Sequence, residues 1–522
     1  MDNGPKQRTM VQQLKAEVKR SAAHRRSRRL IQRVTRELHI EENSDTTRSN
    51  RSNRSNRSNA QRAYSTTPDS QYLFQQFDNE LELQFVMIYL DHALPMLFPF
   101  YTPKIFEGGR GWLLVLPLKV RALYHTIISL TSYFFSTVQV EPGEAYRICS
   151  SIACGEQNKQ LDLAVTMVQR DLHAINSQGV HSDLLESAYL LGSIVQLVIF
   201  EGLVATTENW RMHLNAAVVL IEQMIQPSGT VLSLLELMRQ RSSLPSRTRD
   251  DIPWNADQAA FRFYASILLL ADILSSTALE QPPKLHKYHD DLLLNRPSSG
   301  YKAPLQLEDI IGCQNWVPML ISGIVALAAW KKEMKKRRTL ATAELFQRAS
   351  VIEEKLQDSI LRLSTAQLST PPLENTSIDR YTHLPYHPHN KSAIHTVTLI
   401  WAHAAEIYLH TVLSGWQTAT PEIRASVKSS LTLFANLPCP TSLRALAWPL
   451  CVIGCAAEVE ESAFREIIAS MGQLAELGTI QAALRVIETV WTKRRDFESG
   501  GCDIDVDIAA CLNGLGYAVL LI

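Results

Sequence analysis

The stretch LDLAVTMVQRDLHAI, residues 161–175, decides the fold class. Its apolar residues Leu161, Ala164, Val165, Val168, Leu172 and Ile175 return every three or four positions. A helix gathers such residues into one stripe, whereas a strand would need them at every second position. Phe464, Ile467, Ile468 and Met471 follow the same spacing, as do Ile480, Leu484, Ile487 and Trp491. Sustained alternation of period two is nearly absent from residue 70 onward. Helix-start chemistry agrees. Asp183 with Glu186 has the spacing of a capping box, and Pro421 after Thr420 suits a first helical turn. Residues 70–522 are therefore expected to be all-α, a single large helical body of stacked antiparallel helices. Polar or proline-bearing breaks near 226–256, 279–306 and 366–392 read as long loops within that body rather than linkers. No fixed period recurs, which argues against a regular solenoid.

The chain has 522 residues, 46% of them hydrophobic and 20% charged. That is ample for a core that needs no metal or disulfide staple. Its 52 basic and 52 acidic residues cancel, but they are segregated. Residues 1–63 carry 16 Lys/Arg and 6 Asp/Glu, which leaves 36 and 46 for the rest. A basic arm on an acidic body suits a polyanion or an import receptor. Within residues 1–69 the stripe Leu14, Val18, Ile31, Val34 and Leu38 is thin and interrupted by Arg25, Arg26, Arg28 and Arg29. It supports a short helix but not a coiled coil. Arg48–Asn59 is Arg-Ser-Asn repeated four times. Such sequence cannot offset its ordering entropy by burial, so the arm is expected to be largely disordered.

Eight cysteines lie at 149, 154, 313, 439, 451, 455, 502 and 511, with no Cys-x-x-Cys pair. Scattered through apolar helical sequence, they read as small buried hydrophobes in a reducing compartment. No apolar run follows the N-terminal charges as in a signal peptide. The greasiest stretches, Leu190–Phe200 and Val317–Trp330, are broken by Gln196 and Ser322. They fall short of the roughly 18 apolar residues of a membrane span. The expectation is a soluble intracellular protein with no membrane partner.

Gly108, Gly109 and Gly111 are not followed by Gly-Lys-Ser/Thr, so they read as a turn before a helix at Trp112 rather than a phosphate loop. His-Glu-x-x-His and Gly-x-Ser-x-Gly are absent. His383, His387, His389 and His395 cluster beside Pro385 and Pro388 and read as a histidine-rich loop, not a metal site. An all-α prenyl-diphosphate cyclase would need several carboxylates for magnesium. Asp290 and Asp291 run straight into Leu292, Leu293 and Leu294, so the third acid is missing. No catalytic, cofactor-binding or metal-binding residue is expected.

Two basic clusters remain. Lys19, Arg20, Arg25, Arg26, Arg28 and Arg29, with Arg33 and Arg36 beyond, form two knots suited to nuclear import or to DNA backbone contact. On a helix they would spread around the circumference, which favours phosphates over base edges. The second cluster, Lys331, Lys332, Lys335, Lys336, Arg337 and Arg338, follows an apolar helix ending near Trp330. It reads either as cations favoured by a helix C-terminus or as a second import signal.

Several ordered strings resemble a known family. They are Gly109-Arg110-Gly111-Trp112-Leu113; Phe200-Glu201 with Asn209-Trp210-x-x-His213-Leu214-x-Ala216-Ala217; and Ala260-Phe261-Arg262-Phe263 leading to Asp272. Gly312-Cys313-Gln314-Asn315-Trp316 with Trp330-Lys331, and Ala402-His403-Ala404-Ala405 with Tyr408-Leu409, come next. Trp448-Pro449-Leu450 with Gly454-Cys455, Val490-Trp491, and Leu515-Gly516 with Leu520-Leu521-Ile522 close the series. Across roughly residues 72–522 the chain resembles the regulatory domain of fungal zinc-cluster transcription factors, of the acriflavine-sensitivity-control type. Physically the strings read as packing sites. Trp210, Trp316 and Trp448 are large buried aromatics, and Gly312 and Gly454 allow a cap or a close helix approach.

The resemblance implies a nuclear transcription regulator without catalytic activity, governing a metabolic or secondary-metabolite gene cluster. Its helical body would handle the transcription machinery, a related DNA-binding regulator or a small-molecule effector. The family's DNA reader holds two zincs with six closely spaced cysteines. Here the first cysteine is Cys149, so the zinc cluster is missing and no zinc ligand carries over. Gln12–Arg20 resembles the basic segment that follows that cluster. Three readings stay open: a reading frame without its first exon, a natural variant acting through a partner or as a dominant regulator, or DNA binding by the arm alone with strong salt dependence. Outside the family, the alternatives are an effector-binding or scaffold protein with no DNA role, or an all-α enzyme.

Overall fold

A computed structural model describes residues 80–103, 108–138, 144–178, 184–205, 208–240, 254–295, 303–366, 391–415, 417, 420–498 and 508–522. All belong to the unit Gln71–Ile522. The arm, with its Arg-Ser-Asn repeats and the candidates Lys19, Arg20, Arg25, Arg26, Arg28 and Arg29, lies outside the described residues. So do Asp183, His383, His387 and His389.

The described residues are helical, with no strand among them. The helices of eight residues or more are α1 (Glu80–Ile88), α2 (Trp112–Lys119), α3 (Arg121–Thr137), α4 (Glu144–Gln178) and α5 (Leu184–Val204). Next come α6 (Trp210–Ser228), α7 (Val231–Gln240), α8 (Ala256–Leu279), α9 (Trp316–Arg337) and α10 (Thr342–Ala366). The last five are α11 (Lys391–Ser414), α12 (Pro421–Ala435), α13 (Ala447–Ala456), α14 (Glu461–Ala469) and α15 (Gly478–Glu498). Neighbours in sequence pack together: α3 on α4, α5 on α6, α9 on α10, and α11 on α12.

α8 lies at the centre, packed against α2, α5, α6, α7, α9 and the short helix Ile508–Leu512. Its N-terminus is fixed by a reciprocal capping box. Asn255 Oδ1 accepts from the Gln258 amide (2.8 Å) and Gln258 Oε1 from the Asn255 amide (3.1 Å). α5 and α8 are long and apolar enough to cross a membrane, but 83% and 94% of their apolar windows are buried against other helices. A helix that is apolar all round is a core helix when its neighbours cover it.

The stripe that decided the fold points inward as expected. On α4, Ala164 and Val168 are buried and Leu161, Val165, Leu172 and Ile175 half-buried, while Asp162, Gln169 and Arg170 face solvent. Phe464, Ile468, Ile480, Ile487 and Trp491 are buried too. Pro421 occupies the first turn of α12, and the Gly108–Gly111 turn precedes α2. Gly108, at φ +90°, could not carry a side chain, because a Cβ there would lie 2.5 Å from that of Ala259.

Three expectations need correction. The break at 226–256 contains α7. Thr230 Oγ1 accepts from the Ser233 amide (3.1 Å), and Val231, Leu234 and Met238 bury one face of a short amphipathic helix. Cys154 and Cys439 are exposed, while Cys313, Cys451, Cys455 and Cys511 are the buried hydrophobes expected. Trp316 is only half-buried, because its ring lies at the start of α9.

Trp210, Trp448 and Trp491 of the strings, and Trp401 beside one of them, are core residues whose N–H groups find acceptors, whereas Trp330 is half-buried. Trp210 Nε1 donates to the Ala518 carbonyl (3.3 Å), Trp401 to Ala445 (3.2 Å), and Trp491 to Gly454 (2.9 Å). Trp448 Nε1 donates to Thr277 Oγ1 (3.1 Å). Trp401 and Trp448 stack, with centroids 5.6 Å apart, and Tyr408 meets Trp448 edge-on at 6.0 Å. This column of rings joins α8, α11 and α13.

Candidate functional site

The second basic cluster and the aromatic column meet at one place. The first turns of α9 bury Val317, Ile321, Ile324 and Val325. Its last turns leave the core, and Lys331, Lys332 and Lys335 come onto one side at spacings of three and four. Two of these ammonium groups have defined duties. Lys331 Nζ donates to the carbonyls of Val412 and of Leu413, the latter at 3.2 Å. Those carbonyls end α11 and have no acceptor role inside it, so a cation there offsets the partial negative charge of the helix terminus. Lys332 pairs with Glu280, the left-handed C-cap of α8 at φ +51°. Lys335 is exposed and has no partner among the described residues. Arg337 pairs with Glu333 one turn back at 2.6 Å.

The three lysines edge a cleft of about 360 Å³. Thr277 and Glu280 come from the end of α8, and Tyr408, Thr411, Val412 and Gly415 from the end of α11. Ala328 on α9 and Ile508 and Ala509 on the final short helix add an apolar wall. The base is rigid, since Tyr408 rests on Trp448 and Thr277 Oγ1 both accepts from Trp448 and donates to the Leu274 carbonyl (2.7 Å). Gly415 has φ +76° and no atom within 4 Å of where a Cβ would stand, so the rim is open there.

A second hollow lies between Tyr101, Trp254, Arg262 and Phe263, but its volume of about 50 Å³ holds little more than water. Arg262 fills it, stacked 3.2 Å over the Trp254 ring and donating from Nε to the Pro304 carbonyl (2.6 Å).

The larger cleft presents cations, hydroxyls and apolar side chains. Its single carboxylate is neutralised by Lys332, and no histidine or cysteine lines it. Among the described residues no three His, Cys, Asp or Glu side chains converge as metal ligands. His395 Nε2 donates to the Leu363 carbonyl at 3.1 Å, tying α11 to α10. Asp290 and Asp291 stand in the first turn of the short helix His289–Leu293.

The sequence strings are pinned where they stand. Asn315 is the clearest case. Its Oδ1 accepts from the Leu307 amide (2.9 Å), and its Nδ2 donates to the carbonyls of Leu293 (2.9 Å) and Leu305 (2.8 Å). Gly312 at φ +71° caps the preceding turn under the Phe100 ring. Asp272, buried in α8, accepts from the Leu285 amide at 2.8 Å; burial pushes its carboxyl up, and backbone hydrogen bonds oppose that. The family strings therefore mark where separate segments are tied together. Sequence reading found the lysines of the cleft but missed Glu280, Thr277, Val412, Gly415, Ile508 and Ala509, which arrive from helix ends far apart in the chain.

The chain is similar to Transcription factor dibT of Pestalotiopsis microspora, 36% identical over 458 residues, covering 85% of this chain and 71% of that one. It is similar to the Pestheic acid cluster transcriptional regulator 3 of Pestalotiopsis fici, 28% identical over 78% of this chain and 70% of the relative. The Trichothecene biosynthesis transcription regulator TRI10 of Trichoderma arundinaceum is 26% identical over 80% of this chain and 93% of its own length. No solved structure matches. The family model for the fungal-specific transcription factor domain matches residues 84–522, the whole described helical body but its first few residues, and the chain belongs to that family, a family of transcription regulators and not of enzymes.

Proposed function

We propose that this protein works in the nucleus as the regulator of one biosynthetic gene cluster. The observation that carries this is a family match over the helical body whose relatives are named for such clusters: pestheic acid in one case and trichothecene in another. In this reading the body is a regulatory scaffold. The arm, through Lys19, Arg20, Arg25, Arg26, Arg28 and Arg29, supplies nuclear import and contacts to DNA phosphates. Contacts to phosphates carry no base information, and in this reading base-specific recognition is assigned to a partner regulator with its own DNA-binding domain. Support for the arm is its charge density, against a body that is net acidic.

Two experiments test this. Deleting and overexpressing the gene should move the transcripts of one contiguous set of biosynthetic genes in opposite directions; an unchanged transcriptome refutes the reading. Neutralising Lys19–Arg29 in a fluorescently tagged full-length chain should abolish nuclear accumulation. Unchanged accumulation, with Lys331–Arg338 also neutralised, removes the import role.

A further inference from the structure

We propose that the cleft edged by Lys331, Lys332 and Lys335 binds a small organic acid with an apolar body. Three observations converge on this class. The volume of about 360 Å³ lies at the lower end of small-molecule sites, large enough for a bicyclic aromatic or a short acyl chain. Lys331 is spent on the end of α11 and Lys332 on Glu280, which leaves the Lys335 ammonium at the rim without a counter-charge among the described residues. A carboxylate entering there gains a charge-assisted hydrogen bond and competes with Glu280 for Lys332. The apolar part of the lining, Ala328, Val412, Ile508 and Ala509, offers methyl groups and no donor side chain. A bare phosphate would leave that wall wet, whereas an amphipathic acid covers it.

The site's position gives binding a consequence. Its walls belong to the ends of α8, α9 and α11 and to Ile508–Leu512, so an occupant bridges segments far apart in the chain. It would stabilise their present arrangement by mass action. That regulatory consequence rests on the reading of the protein as a transcription regulator; the binding does not.

The test is isothermal titration of the full-length chain with 1-naphthoate, with the neutral 1-naphthamide and with inorganic phosphate. Naphthoate is expected to bind, the amide at least about tenfold more weakly, the worth of one charge-assisted hydrogen bond, and phosphate not at all. Lys335→Met should weaken naphthoate by about tenfold and leave the amide unchanged, with an unaltered melting curve. Ala328→Leu, which fills the apolar wall, should weaken both. Equal affinity for naphthoate and naphthamide, an unchanged Lys335→Met, or no heat from naphthoate at low millimolar concentration overturns the proposal. Because the titration reads binding alone, its failure leaves the transcriptional reading untouched, and the reverse also holds.

Discussion

Replacing Asn315 tests whether the family strings are structural ties. In the native protein its carboxamide makes three hydrogen bonds to the backbone of residues 293–307, at 2.8 to 2.9 Å. The three partners also fix its orientation, since a flipped amide would set oxygen against two carbonyls. Each bond to a half-buried backbone group is worth about 1 kcal/mol net, so Asn315→Ala should cost about 2–4 kcal/mol. Asn315→Asp keeps the acceptor for the Leu307 amide but turns both donors into carboxylate oxygen facing carbonyl oxygen. At neutral pH it should be less stable than the alanine variant. Equilibrium urea denaturation followed by tryptophan fluorescence gives the stabilities. Hydrogen exchange at the Leu307 amide gives the local answer: faster in Asn315→Ala, still protected in Asn315→Asp. An alanine variant within about 0.5 kcal/mol of the native protein, or an aspartate variant as stable as native, would refute the assignment.

Three further outcomes follow from the buried polar groups and from one close helix contact. Burial holds the His289 imidazolium at about 4, against about 6.5 when unfolded, and His286 beside it adds to the depression. The unfolded chain thus binds the extra proton, so this contribution is complete above about pH 6.5 and is lost as the pH falls toward 4; His289→Phe should flatten that fall by roughly 1–3 kcal/mol in melting curves, while His125 and His213, depressed the same way, retain the rest. Arg444 is buried, its Nε and Nη1 have no partner among the described residues, and burial pulls its pKa down to about 10; Arg444→Met should raise stability by about 1–3 kcal/mol, and a lower melting temperature would reveal a counter-charge. A Cβ on Gly454 would lie 2.6 Å from Ile487 Cδ1, so Gly454→Ala should cost about 1–3 kcal/mol and Ile487→Val should restore part of it, whereas additive losses would exclude a direct clash between α13 and α15.

Much of the fold was legible because period and burial are local properties of a helix. The stripe on α4, the Phe464–Met471 and Ile480–Trp491 faces and the Pro421 start needed only spacing and cap chemistry. α7 was missed because its ten residues, although clearly amphipathic, are short and lie between Pro227-Ser228-Gly229 and the polar run after Gln240, so the whole stretch read as a break. Cys154 and Cys439 were misplaced because a cysteine looks the same in sequence whether it is buried or exposed. The cleft shows the limit more sharply. Lys331, Lys332 and Lys335 were visible as a run, but their different fates depend on which carbonyls and carboxylates arrive from α8 and α11. No spacing within 331–338 encodes that the α11 terminus takes Lys331, that Glu280 takes Lys332, and that Lys335 is left over. The resemblance strings were legible as packing, and Asn315 and Asp272 show why polar residues sit among them: each closes the backbone hydrogen bonding of a segment that has left its helix.

The most direct test of the central claim, that this chain regulates transcription at one gene cluster, is chromatin immunoprecipitation of the tagged full-length protein. The native chain is expected to enrich promoters of a single contiguous set of biosynthetic genes, and a chain with Lys19, Arg20, Arg25, Arg26, Arg28 and Arg29 neutralised should lose that enrichment. No enrichment at any promoter, under conditions in which the cluster is expressed, would contradict the account and leave a helical scaffold with no role at DNA.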